Sequence, residues 1–192
     1  FRPTEQIAIL FSSRQAIDVE DLGDLYWHQP NSSPHYFGGH DSLPSNHRLE
    51  INTMQVMTVL PQQDLNEIQA SARGAELAGY DQISSMENRH DPFMPLGIAA
   101  ISTQRIAIGT AVAIAFPRSP MVLANTCWDL QAASGGRFVL GLGPQIKAHN
   151  ESRFSTPWSA PVPRMREYVT ALRAIWRCWQ LGEKLDFRGD HY

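Results

Sequence analysis

With 192 residues and 21.5 kDa the chain has room for one domain with a sizeable core, and its 43% apolar and 18% charged content excludes a fibrous or wholly disordered protein. A net charge of −3 gives no electrostatic draw toward nucleic acid or an anionic membrane, and two cysteines, Cys127 and Cys178, cannot make a disulfide scaffold or a four-ligand zinc site, so no metal is expected. The longest nearly apolar run, 106–116, is too short to span a bilayer, and Phe1-Arg2-Pro3 opens no secretory signal; a soluble, cytoplasmic chain is expected.

Two regions differ in character. Residues 1–53 hold three Arg and no Lys against seven acidic residues, and four of the seven histidines (His28, His35, His40, His47). A short helix is expected near 17–25, and 29–46 is a Pro, Ser, Gly, His and Asn run that reads as loop. This segment is expected to be loop-rich or disordered.

From Met54 the punctuation becomes regular. Residues 54–60 read as a buried strand closed by Pro61. Asp64 with Glu67 opens a helix in which Leu65, Ile68, Ala72 and Ala75 recur at helical spacing, and Gly79 stops it. A strand is predicted over 81–86. Asp91-Pro92 is an N-cap followed by proline, opening a helix to about Ser102. Residues 106–115 are apolar on both faces and β-branched, as in a central parallel strand. Ser119-Pro120 repeats the cap signal for a helix to Ser134, before Gly135-Gly136. A fourth strand covers 138–142, and a long loop is read over 143–163. Met165, Tyr168, Val169, Leu172, Ile175, Trp176 and Trp179 mark one face of a last helix, ended by Gly182. Residues 185–192 are expected to begin a hairpin or another strand.

Four βα units in succession imply an α/β protein with a parallel sheet, either doubly wound or barrel-like. Ligands in both bind at the carboxyl ends of the strands, which directs attention to Leu60-Pro61, Met86 to His90, Ala113 to Phe116 and Gly141 to Gln145. The chain has no P-loop and no Gly-x-Ser-x-Gly elbow. Gly141-Leu142-Gly143 is a weak dinucleotide signal, because no third glycine follows.

Thr103-Gln104-Arg105-Ile106-Ala107-Ile108-Gly109-Thr110, Phe116-Pro117-Arg118-Ser119-Pro120, Ser134-Gly135-Gly136-Arg137-Phe138, Val139-Leu140-Gly141-Leu142-Gly143, Arg166-Glu167-Tyr168 with Leu172-Arg173-Ala174-Ile175-Trp176, and Phe187-Arg188-Gly189-Asp190-His191-Tyr192 form one ordered series. Over about 54–192 it resembles the luciferase-like monooxygenase family. His90-Asp91-Pro92-Phe93, Trp128-Asp129-Leu130-Gln131 and Gln145-Ile146-Lys147-Ala148-His149 are most similar to the branch that uses coenzyme F420, a 5-deazaflavin.

The resemblance implies a TIM-type (β/α)8 barrel, represented by about its first four βα units and preceded by an unmatched segment. It implies an oxidoreductase moving a hydride between coenzyme F420 and a small organic substrate; the alternative of the same fold uses FMN as a flavin monooxygenase. It also places a non-prolyl cis peptide at Ala111-Val112, forming a bulge that backs the ring. Thr110, Ala111, Val112, Gly141, Gly143 and Gln145 are then the expected cofactor contacts. Glu87 and His90 are the candidate catalytic groups; each has a plain alternative, Glu87 pairing with Arg89 or Arg118 in solvent and His90 closing a turn before the Asp91 cap. Thr110 has the alternative of bonding within the barrel. His149, Arg153 and Trp158 lie in the long loop as candidates for contact with substrate or cofactor tail. The family pattern is departed from where Asn88 follows Glu87, where Pro144 replaces a Ser or Thr, and where Ile146 replaces the acid of sugar-phosphate dehydrogenases.

A whole barrel needs about 250 residues. The chain is therefore expected to be a fragment whose upstream part need not be authentic coding sequence. Raw sheet edges favour pairing with another chain, which predicts a homo-oligomer and, as a third alternative, an inactive half-barrel that self-associates.

Overall fold

A computed structural model describes residues 7–9 and 54–192. The helix expected near 17–25 and the loop over 29–46 lie outside the described residues.

Strands β1 (Ile7–Ile9), β2 (Met57–Val59), β3 (Gln82–Ser85), β4 (Ala107–Thr110), β5 (Ala113–Ile114) and β6 (Phe138–Gly143) form one all-parallel sheet in the order β1-β6-β4-β3-β2, with β5 also paired to β6. Helices α1 (Ile68–Leu77), α2 (Phe93–Ser102), α3 (Pro120–Ala133), α4 (Lys147–Phe154) and α5 (Pro161–Leu181) intervene. Successive helices α1, α2, α3 and α5 pack side by side. Each βα crossover thus places its strand beside the one before, as in the wall of a barrel.

The caps work as the sequence predicts. Asp91 Oδ1 accepts from the N–H groups of Phe93 (2.8 Å) and Met94 (3.1 Å), and Ser119 Oγ accepts from Val122 (3.1 Å). Gly182 ends α5 in the left-handed region at φ 69°. The core lies between sheet and helices, with Ile68, Ile83, Leu96, Ile108, Leu123, Leu140, Leu142, Met165, Leu172 and Trp176 nearly or fully buried. Cys127 is buried there and Cys178 is half-buried.

Five expectations are corrected. The strand over 106–115 is two strands, because the chain bulges at Ala111-Val112 and β5 takes up pairing with β6 instead (Ala113 opposite Leu142). The loop over 143–163 holds α4 and the first turn of α5, which starts at Pro161. That short helix lacks an apolar period, and its end is set by Ser155 in the left-handed region at φ 53°. Residues 185–192 form no strand: Glu167 of α5 accepts from the N–H groups of Asp190 (3.0 Å), His191 (2.7 Å) and Tyr192 (2.6 Å), which consumes the donors a ladder would need. Finally, the buried strand read over 54–60 is the three-residue β2 at the sheet edge. Residues 7–9, within the segment read as loop-rich, form β1, which pairs in parallel with β6, Ile7 opposite Leu140 and Ile9 opposite Leu142. One of the two expected raw edges is therefore covered. At the other, Met57 and Val59 of β2 are about half exposed.

Candidate active site

At the carboxyl ends of β3, β4, β5 and β6 lies a cavity of ≈ 450 Å3, lined by residues of three chain stretches together with Trp158 and Pro161. Its floor is the bulge at Ala111 and Val112, where the peptide bond is cis, as the family resemblance implies. Ile114, Gly143, Pro144, Trp158 and Pro161 supply apolar walls; Met86, Glu87 and Asn88 form the β3 side, and Gln145, Ile146 and Lys147 the β6 side.

The bulge is held from three directions. Ala111 N–H donates to Ser85 O (2.9 Å), and Glu87 N–H donates to Val112 O (3.3 Å). Glu87 Oε2 in turn accepts from Ile114 N–H (2.7 Å) and from Arg118 Nη1 (2.6 Å). Arg118 also donates to Ile114 O (2.8 Å) and, through Nη2, to Asp91 Oδ2 (3.2 Å). The Glu87 side chain is 5% exposed, so this pair is inside the protein. Of the two partners the sequence offered, the structure selects Arg118, and not in solvent. A buried carboxylate with two charge-assisted or backbone donors is a brace, because freeing it would strand the guanidinium.

Thr110 takes the plainer of its two readings. Its hydroxyl donates to Gly141 O (2.7 Å) and accepts from Gly141 N–H (2.9 Å), which ties β4 to β6 and spends its one proton there. Gly141 allows that approach: a Cβ there would overlap the Thr110 carbonyl oxygen. Neither residue lines the cavity, whereas Ala111, Val112, Gly143 and Gln145 do. Gln145 sits in the left-handed region at φ 61°, and its Oε1 accepts from Ile146 N–H (2.9 Å), which turns the chain into α4.

His90 is exposed in the turn before Asp91 and is not among the lining residues. His149 and Arg153 lie exposed on α4 and are not among the lining residues, and the Arg153 guanidinium rests over the Phe154 ring at 4.9 Å. Trp158 is part of the wall, edge-on to Phe116 with ring centroids 6.0 Å apart. Arg164 fixes that corner, stacked over Phe116 at 4.3 Å and donating to Pro157 O (2.8 Å) and Tyr192 OH (3.0 Å). Sequence reasoning missed Lys147 as a lining residue and Arg118 as the centre of the brace. Arg118 was open to discovery, since a cation four residues past a strand end faces the same rim.

Among the described residues no three His, Cys, Asp or Glu side chains gather as a metal site, and no helix is long and apolar enough to cross a membrane.

Comparison with known proteins matches residues 42–192 to the luciferase-like monooxygenase family, starting 12 residues before the Met54 boundary. An uncharacterized protein of Mycobacterium tuberculosis is 53% identical over 122 residues, 64% of this chain and 36% of that protein. A putative coenzyme F420-dependent oxidoreductase of the same species is 34% identical over 60% of this chain and 33% of its own length. The oxygenating constituent of 3,6-diketocamphane monooxygenase from Pseudomonas putida, solved with FMN, superposes with a TM-score of 0.61 at 18% identity, over 72% of this chain and 42% of that one. The chain thus spans about a third of the length of the curated relatives it matches.

Proposed function

The chain belongs to the luciferase-like monooxygenase family, and from that premise we propose that its cavity is the ring end of a deazaflavin site in an oxidoreductase that uses coenzyme F420. The observation that carries the reading is the cavity itself: apolar, at the strand ends, floored by backbone, with its one carboxylate already consumed by Arg118 and the Ile114 N–H. Apart from Lys147, its lining offers no hydroxyl, thiol, imidazole or free carboxyl, which suits chemistry that a cofactor brings with it.

The residues fit a flat ring. The volume falls within the roughly 300–1,000 Å3 of small-molecule sites. Ala111 and Val112 would back the ring, Gly143, Pro144 and Gln145 would border it, and Ile114 and Trp158 would exclude water. A deazaflavin bound there supplies the hydride acceptor or donor, and a small organic substrate is its partner. Glu87 is a positioning residue in this reading: it fixes the bulge on which the ring lies and moves no proton. A second reading, reduced FMN with oxygen, is favoured by the monooxygenase description of the family.

The test is a titration of the purified chain with oxidised and reduced coenzyme F420, followed by cofactor and protein fluorescence, with FMN in parallel. Saturable micromolar binding of F420 is expected. Preference for FMN would replace the deazaflavin with the second reading, and no binding of either would leave an inactive half-barrel.

A further inference from the structure

Charge at the cavity is unevenly spent. Among the described lining residues only Glu87 and Lys147 are charged. Glu87 is neutralised within the wall by Arg118 at 2.6 Å, and Arg118 is in turn engaged by Asp91 at 3.2 Å. Lys147 has no such commitment. Its ammonium stands 3.9 Å from Glu151, one turn on, with the two side chains 65% and 47% exposed. Exposed pairs of that kind hold their partners weakly and give way to a better-placed anion. Lys147 is also the first residue of α4, so the positive end of that helix lies with it on the rim.

We propose that Lys147 makes the β6 side of this cavity an anion subsite, which takes a carboxylate or phosphate carried by the molecule lying on the bulge. The inference rests on the oxidoreductase reading for the presence of such a molecule. A ligand seated against Val112, Ile114, Pro144 and Trp158 buries its body in apolar surface and directs any charged substituent toward the rim. There Lys147 is the one lining cation, and Gln145 and Asn88 are the neutral polar neighbours. A cation on the rim discriminates between an acid and its amide, because only the acid carries the charge that pairs with it. Two sources present the same chemistry: the phosphate of the cofactor and an acidic group of the substrate.

The experiment titrates the parent chain and Lys147→Met at low ionic strength with paired probes. Riboflavin is compared with FMN, and the phosphate-free ribityl deazaflavin with coenzyme F420. Benzoate, benzamide and inorganic phosphate are titrated alone and on ring-saturated protein. Lys147→Met is expected to weaken the anionic probe of a pair by about 2- to 10-fold and to leave the neutral probe unchanged. Lys147→Arg is expected to restore most of the loss. A loss confined to FMN and F420 makes the cofactor phosphate the source; a loss confined to benzoate and phosphate makes it the substrate. Equal affinities of Lys147→Met and parent for every anionic probe overturn the subsite. Ring binding without any dependence on Lys147 sinks the subsite and keeps the oxidoreductase reading. Lys147-dependent anion binding without ring binding does the reverse, and no binding by the parent chain sinks both.

Discussion

At the amino ends of the strands, Glu76 at the end of α1 accepts from the N–H groups of Gln104 (2.9 Å), Arg105 (2.6 Å) and Ile106 (3.0 Å), just before β4. Beside it Arg137, just before β6, donates to the carbonyls of Ser134, Ile106, Ala100 and Thr103 and to the Thr103 hydroxyl, all within 3.0 Å. At the carboxyl ends, Glu87 and Arg118 do the same work on Ile114. Both ends therefore use an acid and an arginine to satisfy backbone groups that the short strands leave over. What separates them is space: Glu87 and the stretch it braces border the cavity at the carboxyl ends, and neither Glu76 nor Arg137 is among its lining residues. A charged cluster on backbone is thus a fold device in this protein, and the site is marked by the volume next to it. The division agrees with the barrel rule that stability resides at one face and chemistry at the other.

The sharpest way to break that division is Arg137→Met. It strands four carbonyls and is expected to cost about 3 kcal/mol in urea unfolding, with the cofactor affinity of the folded protein unchanged. A cofactor affinity that fell with it would deny that the amino-end cluster is purely structural. Thr110→Val removes both bonds to Gly141 and is expected to cost about 2 kcal/mol in stability, seen in the same unfolding experiment as a lower midpoint with an unchanged slope. Were Thr110 a ligand contact instead, the loss would appear in binding at little cost in stability. Glu87→Gln keeps the shape and loses the charge facing Arg118. It is expected to cost about 1 kcal/mol in stability but about tenfold in F420 affinity, since the bulge it braces is the floor of the cavity. Intact affinity in this variant would reduce the carboxyl-end brace to a copy of the amino-end one.

These clusters also show what the sequence carried and what it withheld. The βα alternation, the caps at Asp91 and Ser119 and the stop at Gly182 were legible because each rests on contacts within a few residues. The bulge at Ala111-Val112 came from resemblance: periodicity alone read 106–115 as one unbroken strand. Helix α4 was hidden because its residues, Lys147 to Phe154, follow no apolar period and its buried member, Asn150, is polar, with Nδ2 donating to Pro144 O (2.9 Å) and Ile146 O (3.0 Å). Within the site, Glu87 and a pairing with Arg118 were both read, but the sequence placed the pair in solvent; that it is buried and holds Ile114 depends on where β5 turns. His90, His149 and Arg153 attracted notice as residue types suited to catalysis or anion binding, and the fold turns all three to the surface.

The smallest effect concerns acid. Burial by itself would raise the Glu76 carboxyl, but the three N–H groups of Arg105, Ile106 and Gln104 outweigh it and hold the group below its ordinary value of 4.5. Glu167 is in the same position under the N–H groups of His191, Tyr192 and Asp190. A carboxyl whose folded pKa lies below its unfolded one adds stability that is full above the unfolded value and is lost as pH falls toward the folded one. The chain is accordingly expected to lose stability as pH falls below about 5, by less than about 1 kcal/mol for each of these partly exposed groups. Urea unfolding at a series of pH values should show a shallower slope in Glu76→Gln than in the parent below that pH, and the same slope in both would remove Glu76 from the account. Glu167→Gln should flatten the slope as well and also free residues 190–192 from α5, so that the Tyr192 ring leaves Tyr168, 5.1 Å away between centroids, and Arg164 loses one of the contacts that fix the Trp158 corner. Acid and Glu167→Gln are therefore expected to loosen the cavity wall from the α5 side, while Glu76→Gln leaves it as it was.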